Sequence, residues 1–264
     1  MTAVTDALAK ARADNRAALV GYLPVGYPSV DVSIDGMRAL VEGGCDVVEV
    51  GVPYSDPVMD GPTIQAAAEP AVRAGVGIPD ALRAVAAVRD AGAAAVVMTY
   101  WNPVERYGVE RFARDLAAAG GSGAITPDLI PDEAGEWLQA SDQHALDRVF
   151  LVAPSSSDAR IAATAAASRG FVYAAALMGV TGARDAVGDA AATLAGRVRA
   201  LAPDVPVCVG LGVSDKAQAA QVAGFADGVI VGSALVRCLL DSPDVHGVAA
   251  VLELASELAA GVRH

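Results

Sequence analysis

One acidic residue stands inside an apolar run: Glu49, in Val47-Val48-Glu49-Val50-Gly51. Read as a strand, the run points alternate side chains to opposite faces. With Val48 and Val50 turned to an outer layer, Glu49 faces inward. An unpaired buried carboxylate is costly, and desolvation raises its pKa. A carboxyl group tuned upward can both give and take a proton near neutral pH. The competing reading is a structural glutamate held by an arginine. Asp60 follows in the loop after the same run, in Met59-Asp60-Gly61-Pro62. Asp-Gly-Pro ahead of a helical pattern is also an ordinary turn and cap signal. Asp60 is therefore either a cap or a second acid, and Asp56 before Pro57 shares that ambiguity.

Two later turns could hold an anion. Gly210-Leu211-Gly212 and Gly232-Ser233 each follow an apolar run and lead into a helical pattern. Glycine allows close backbone approach, and a helix N-terminus offers free N–H groups. The bland alternative is a pair of tight turns. Tyr22, Met98, Tyr100 and Tyr173 end or line apolar runs and could form a flat pocket with polar tips; equally, they could be ordinary core residues. The two lysines, Lys10 and Lys216, fall on helical segments rather than at strand ends, which disfavours Schiff-base cleavage. His144, His246 and His264 are too scattered to converge on a metal. Carboxylates remain as the acid–base candidates.

The elements that must position these groups recur regularly. Eight strands are predicted, at Ala18–Tyr22, Asp46–Gly51, Ala93–Tyr100, Gly123–Thr126, Asp147–Val152, Phe171–Ala175, Pro206–Gly210 and Asp227–Val231. Alanine-rich amphipathic segments lie between them, such as Pro79–Asp90, Val109–Ala119, Ser157–Ser168 and Asp215–Ala223. Continuously apolar strands alternating with helices imply a parallel sheet. Eight units in 264 residues favour a single (β/α)8 barrel over 1–264, with a doubly wound sheet as the alternative. About forty residues separate strands two and three, room for two helices. About thirty separate strands six and seven, where the glycines suggest a lid. An extra N-terminal helix near Thr5–Asn15 would close the opposite end. A net charge of −12 argues against nucleic acid. It also leaves any phosphate site dependent on backbone N–H groups. Three unspaced cysteines, and an opening stretch of mixed charge without an apolar run, suggest a cytoplasmic protein.

Longer motifs then show a family resemblance. Glu49-Val50-Gly51-Val52-Pro53-Tyr54-Ser55-Asp56-Pro57, continued by Met59-Asp60-Gly61-Pro62-Thr63-Ile64-Gln65, resembles the signature of tryptophan synthase alpha subunits. So do Met98-Thr99-Tyr100-Trp101-Asn102-Pro103, Pro127-Asp128-Leu129, Gly179-Val180-Thr181-Gly182 and Val231-Gly232-Ser233-Ala234. They run in family order from about Tyr22 to Arg237. The resemblance implies retro-aldol cleavage of indole-3-glycerol phosphate, with Glu49 as acid–base and Asp60 as second carboxylate. It implies that Tyr173 holds Asp60, that Thr181 and Gly182 form a lid, and that Gly182, Gly212, Gly232 and Ser233 bind phosphate. Tyr22, Tyr100 and Gly210 complete the expected substrate pocket. Pro53, Asp56, Asn102 and Asp128 are expected to meet a beta subunit in an alpha2beta2 heterotetramer. That subunit, not this one, would carry pyridoxal phosphate. The chain departs from the pattern in carrying Ala176-Leu177-Met178 ahead of the lid motif, and Leu211 between the strand-seven glycines. A phosphosugar isomerase or indole-glycerol-phosphate synthase would share the glycine turns, but the synthase would want lysines in the mouth. A non-catalytic activating subunit would not need both carboxylates.

Overall fold

The computed structural model describes residues 2–175, 184–210 and 212–263, and the backbone alone for 184–188. Its parallel strands are β1 (Ala18–Pro24), β2 (Val47–Gly51), β3 (Ala94–Met98), β4 (Gly123–Ile125), β5 (Asp147–Val149), β6 (Leu151–Val152), β7 (Val172–Ala175), β8 (Val207–Gly210) and β9 (Gly228–Val231). They are ordered β5-β4-β3-β2-β1-β9-β8-β7-β6. The two ends of that order are joined through a single residue, Phe150. Val149 pairs with Ile125 of β4, and Leu151 pairs with Tyr173 of β7. One run of chain thus bonds to both edges and closes the sheet into a (β/α)8 barrel, which excludes the open doubly wound alternative.

Three sequence-derived boundaries need correction. The expected fifth strand, Asp147–Val152, is split because the chain changes partner at Phe150. The Val149 carbonyl accepts from Thr126, and the Phe150 carbonyl accepts from Tyr173. β1 runs on to Pro24, beyond the expected Tyr22. β3 stops at Met98, short of the expected Tyr100, because Tyr100 has already turned to cap the helix Trp101–Tyr107. The remaining expected strand ends coincide or differ by a single residue, within the usual fraying of terminal hydrogen bonds.

The long interval after β2 holds two helices, Pro62–Arg73 and Ile78–Ala91, as its length predicted. The interval after β7 holds the helix Arg184–Leu201; the expected lid, Gly179 to Gly182, lies outside the described residues. Apolar side chains divide into two layers. Val48, Val50, Leu40 and Val85 pack between strands and helices. Val20, Val47, Val96, Ile125, Val149, Phe171 and Ile230 fill the barrel interior. The N-terminal helix, Ala3–Ala13, adds Val4, Leu8 and Ala11 to that interior cluster. It therefore seals one end of the barrel, with each large apolar side chain contributing about 1.5–3 kcal/mol. Polar contacts fix the seal. The Thr2 hydroxyl donates to Asp147, and Arg12 pairs with Asp227 at 2.9 Å. The opposite end, at the carboxyl termini of the strands, is where barrel enzymes place their sites. Among the described residues, no helix is long and apolar enough to cross a membrane.

Candidate active site

Glu49 lies on β2 in register with Tyr22 of β1 and Val96 of β3. Its neighbours Val48 and Val50 belong to the outer layer, so alternation turns Glu49 into the barrel as the sequence predicted. It is 1% exposed. Its Oε1 has no hydrogen-bond partner among the described residues, which removes the reading of a glutamate held by an arginine. Burial pushes the carboxyl up to about 8. Glu49 therefore holds a proton at neutral pH and stands ready to give it.

Asp60 is set by the loop that leaves β2. Gly61, not Asp60, caps the helix Pro62–Arg73, so the cap reading fails. The Asp60 carbonyl accepts from Gln65 Nε2 at 2.7 Å, which fixes the backbone. Its Oδ1 accepts from the Tyr100 hydroxyl at 3.2 Å, and that hydroxyl in turn accepts from the Met59 N–H at 3.0 Å. Burial raises the Asp60 carboxyl, and the Tyr100 hydrogen bond opposes the rise. Tyr100 is itself pushed up to about 12 by burial, so it remains a protonated donor. Tyr54 stacks on the Tyr100 ring at 5.0 Å between centroids. The residue expected to hold Asp60 was Tyr173, but the hydroxyl bonded to it here is that of Tyr100. The two partners are forty positions apart, and spacing along the chain gave no sign of their contact.

Two glycines make room for two of the tyrosines. A Cβ at Gly51 would stand 2.5 Å from the Tyr22 hydroxyl, and one at Gly210 would stand 2.4 Å from that of Tyr173. The phenol rings thus occupy space that any side chain at these positions would take. Both tyrosines line a cavity of about 440 Å³ that also takes in Glu49, Asp60, Gly212, Gly232 and Ser233. Met59, Ile64, Met98 and Ile230 supply apolar walls. Of these, Met59, Ile64 and Ile230 were not foreseen, because a single apolar residue on a loop, in the first turn of a helix or in a strand carries no distinguishing pattern. Thr181 and Gly182, expected in the lid, lie outside the described residues.

At one side of the cavity the backbone leaves N–H groups without side-chain partners, an arrangement able to receive an anion. Gly232 precedes the helix Ser233–Asp241 with no side chain capping it, so the first N–H groups of that helix are free. Gly212 has φ +73°, in the left-handed region that suits glycine. Neither lysine nor arginine lines the cavity among the described residues. No metal-binding cluster of histidine, cysteine or carboxylate occurs among them either.

Of the residues expected to meet a partner, Asp56, Asn102 and Asp128 are exposed and Pro53 is buried. Pro53 and Asn102 line a common groove of about 380 Å³ with Tyr54. Asp128 accepts from the Trp101 N–H at 2.9 Å and so anchors the helix that carries Asn102.

A closed parallel barrel with a buried carboxyl and a second, hydrogen-bonded carboxyl in one cavity at its mouth has the architecture of a barrel enzyme, with two groups able to exchange protons. Comparison with known proteins narrows this. The family model described as tryptophan synthase alpha chain matches residues 8–263. Tryptophan synthase alpha chains from Mycobacterium tuberculosis and Mycobacterium marinum are 66% identical over 252 residues, 96% of this chain and 91% of theirs. A structure of Mycobacterium tuberculosis tryptophan synthase superposes with a TM-score of 0.93 at 62% identity, covering 100% of this chain and 99% of that one. The alpha subunit from Legionella pneumophila superposes at 0.89 with 31% identity, covering 99% of this chain and 98% of its own. The chain belongs to the tryptophan synthase alpha chain family. It is a carbon–carbon lyase, and its reaction is the cleavage of indole-3-glycerol phosphate to indole and glyceraldehyde 3-phosphate.

Proposed function

We propose that Glu49 and Asp60 carry this cleavage, Glu49 by moving protons and Asp60 by supplying negative charge. Indole is a poor leaving group as a carbanion. Protonation at its C3 makes an iminium-like species that departs as neutral indole. Glu49, protonated by virtue of its burial, gives that proton. It takes one back from the hydroxyl on the adjacent chain carbon as the carbon–carbon bond breaks and the aldehyde forms. Asp60 accepts the ring N–H and stabilises the positive charge that develops there. The Tyr100 hydrogen bond favours its ionised form, as this division of labour requires. Free N–H groups near Gly212, Gly232 and Ser233 receive the phosphate, with Gly182 as a further contributor. Phosphate binding remote from the breaking bond aligns the reacting carbons. Tyr22, Tyr100, Tyr173 and Gly210 complete the pocket, and Thr181, outside the described residues, is assigned to the same substrate site.

The observation that carries this reading is a wholly buried carboxyl, Glu49, with an unpartnered oxygen in the same cavity as a second, hydrogen-bonded carboxyl. The experiment is substrate-dependent indole release by the wild-type chain and by Glu49→Gln, with and without beta subunit. Release by the wild type and its loss in the variant support the assignment. Near-normal turnover by the variant overturns it.

The chain pairs with the beta subunit of tryptophan synthase, in an alpha2beta2 assembly. Pro53, Asp56, Asn102 and Asp128, gathered at the loops beyond β2, β3 and β4, form the docking surface. This subunit works in the cytoplasm without a cofactor of its own, and pyridoxal phosphate belongs to the beta subunit.

A further inference from the structure

Tyr22 spans the ground between the two ends of the substrate site. Its register partner across the sheet is Glu49. On its other side, a Cβ at Gly232 would stand 3.4 Å from Tyr22 Cδ1 and 3.6 Å from its Cβ. The ring therefore starts beside the glycine that opens the anion-receiving helix and ends with its hydroxyl over Gly51, one pleat beyond Glu49. The residue is 8% exposed and faces the cavity. Its surroundings include both carboxylates, Asp60 and Glu49, and the phenols of Tyr100 and Tyr173, yet its hydroxyl makes no hydrogen bond to a described residue. Burial and those charges push the phenol well up, so it stays a neutral donor at any working pH.

A phenol that lines the substrate cavity, with no protein partner among the described residues, is free to bond a ligand there. A substrate whose phosphate sits at Gly232 and Ser233 and whose indole N–H meets Asp60 must lay its glycerol chain across the ground that Tyr22 covers. We infer that the Tyr22 hydroxyl hydrogen-bonds the glycerol-chain hydroxyls of the substrate and is a specificity-determining group for that polar chain. The aromatic ring and the phosphate are recognised by other residues. The inference rests on the placement of phosphate and indole proposed above. It assigns Tyr22 a polar role that packing of its ring alone would not give.

Tyr22→Phe tests this cleanly, since the ring and its packing on Gly51 and Gly232 are kept. Three quantities are compared between wild type and variant, both assembled with beta subunit. They are kcat/KM for indole-3-glycerol phosphate, the Kd of an indolyl-propanol phosphate lacking both chain hydroxyls, and the thermal midpoint. The expected result is a loss of about tenfold in kcat/KM, the size of one uncharged hydrogen bond, with the Kd of the deoxy analogue and the midpoint unchanged. An unchanged kcat/KM overturns the inference. So does an equal weakening of analogue and substrate, or a loss that follows a fallen midpoint, because each would make the role one of packing. Failure of the wild type itself to release indole would instead refute the underlying active-site reading.

Discussion

Tyr100 holds Asp60 through the loop that carries it: one hydroxyl accepts from the Met59 N–H at 3.0 Å and donates to Asp60 Oδ1 at 3.2 Å. Backbone and side chain of that loop thus converge on a single phenol, itself stacked on Tyr54. Tyr100→Phe removes both bonds while keeping the ring. The expected result is a fall of about tenfold in kcat for indole release, with the fold intact by circular dichroism. Unaltered turnover would show that Asp60 finds its position without Tyr100.

Glu49→Gln keeps size and removes the ionisable proton. It is expected to bind indolyl-propanol phosphate as tightly as wild type and to lose about 10²–10⁴-fold in kcat, the range of a general acid–base group. Asp60→Asn keeps the hydrogen-bonding geometry but removes the charge. A loss of about 10²–10³-fold in kcat is expected. If only KM rose in that variant, Asp60 would be a binding residue and nothing more.

The raised pKa of Glu49 has a consequence for stability. Its carboxyl titrates near 8 in the native chain, against 4.5 for the unperturbed group. The folded state therefore binds a proton that the unfolded state has released between those values. The resulting stabilisation is fully present below about pH 4.5 and is lost as pH rises through about 8. Glu49→Gln escapes this loss. At pH 8.5 its thermal midpoint should exceed that of wild type by at least about 2 °C, with the gap shrinking toward pH 5. A gap independent of pH would mean that Glu49 does not titrate in this window.

Gly210→Ala places a methyl group 2.4 Å from the Tyr173 hydroxyl. The ring must move into the cavity or the strands must part. The expected cost is about 1–3 kcal/mol in urea unfolding, together with a raised KM. A variant with wild-type stability and KM would show that the Tyr173 ring is free to leave its seat.

Arg16 meets Asp46 through two bonds of 2.7 Å, and Asp46 also accepts from the Leu19 N–H. Side chains of this pair are only 11% and 14% exposed. Arg16→Ala leaves the Asp46 carboxylate unpaired at the sealed end of the barrel and should cost about 3 kcal/mol. Indole release at saturating substrate should be unchanged, since the pair lies far from the mouth. A loss of less than 1 kcal/mol, about the worth of an exposed pair, would show that water screens it.

How far the sequence reached depended on the kind of information each feature needed. Local patterns sufficed for the alternation of strand and helix, for the two helices after β2, for the inward turn of Glu49 and for the N-terminal seal. These follow from periodicity, interval length and the pleat, all of which are properties of neighbouring residues. The signature from Glu49 to Gln65 went further and carried the family. What the chain could not disclose was every relation between distant segments. That Asp60 is not the cap turned on Gly61 taking that place, and its hydrogen bond comes from a tyrosine forty positions away. The partner of Asp60 proved to be Tyr100 and not Tyr173, because closing the barrel sets which hydroxyl faces which strand end. The break at Phe150 exists only because one run must bond to both edges of the sheet. Above all, the elevated pKa of Glu49 is a property of its surroundings. The residue type supplies a carboxyl group, but only the assembled barrel removes the water that would otherwise keep it ionised.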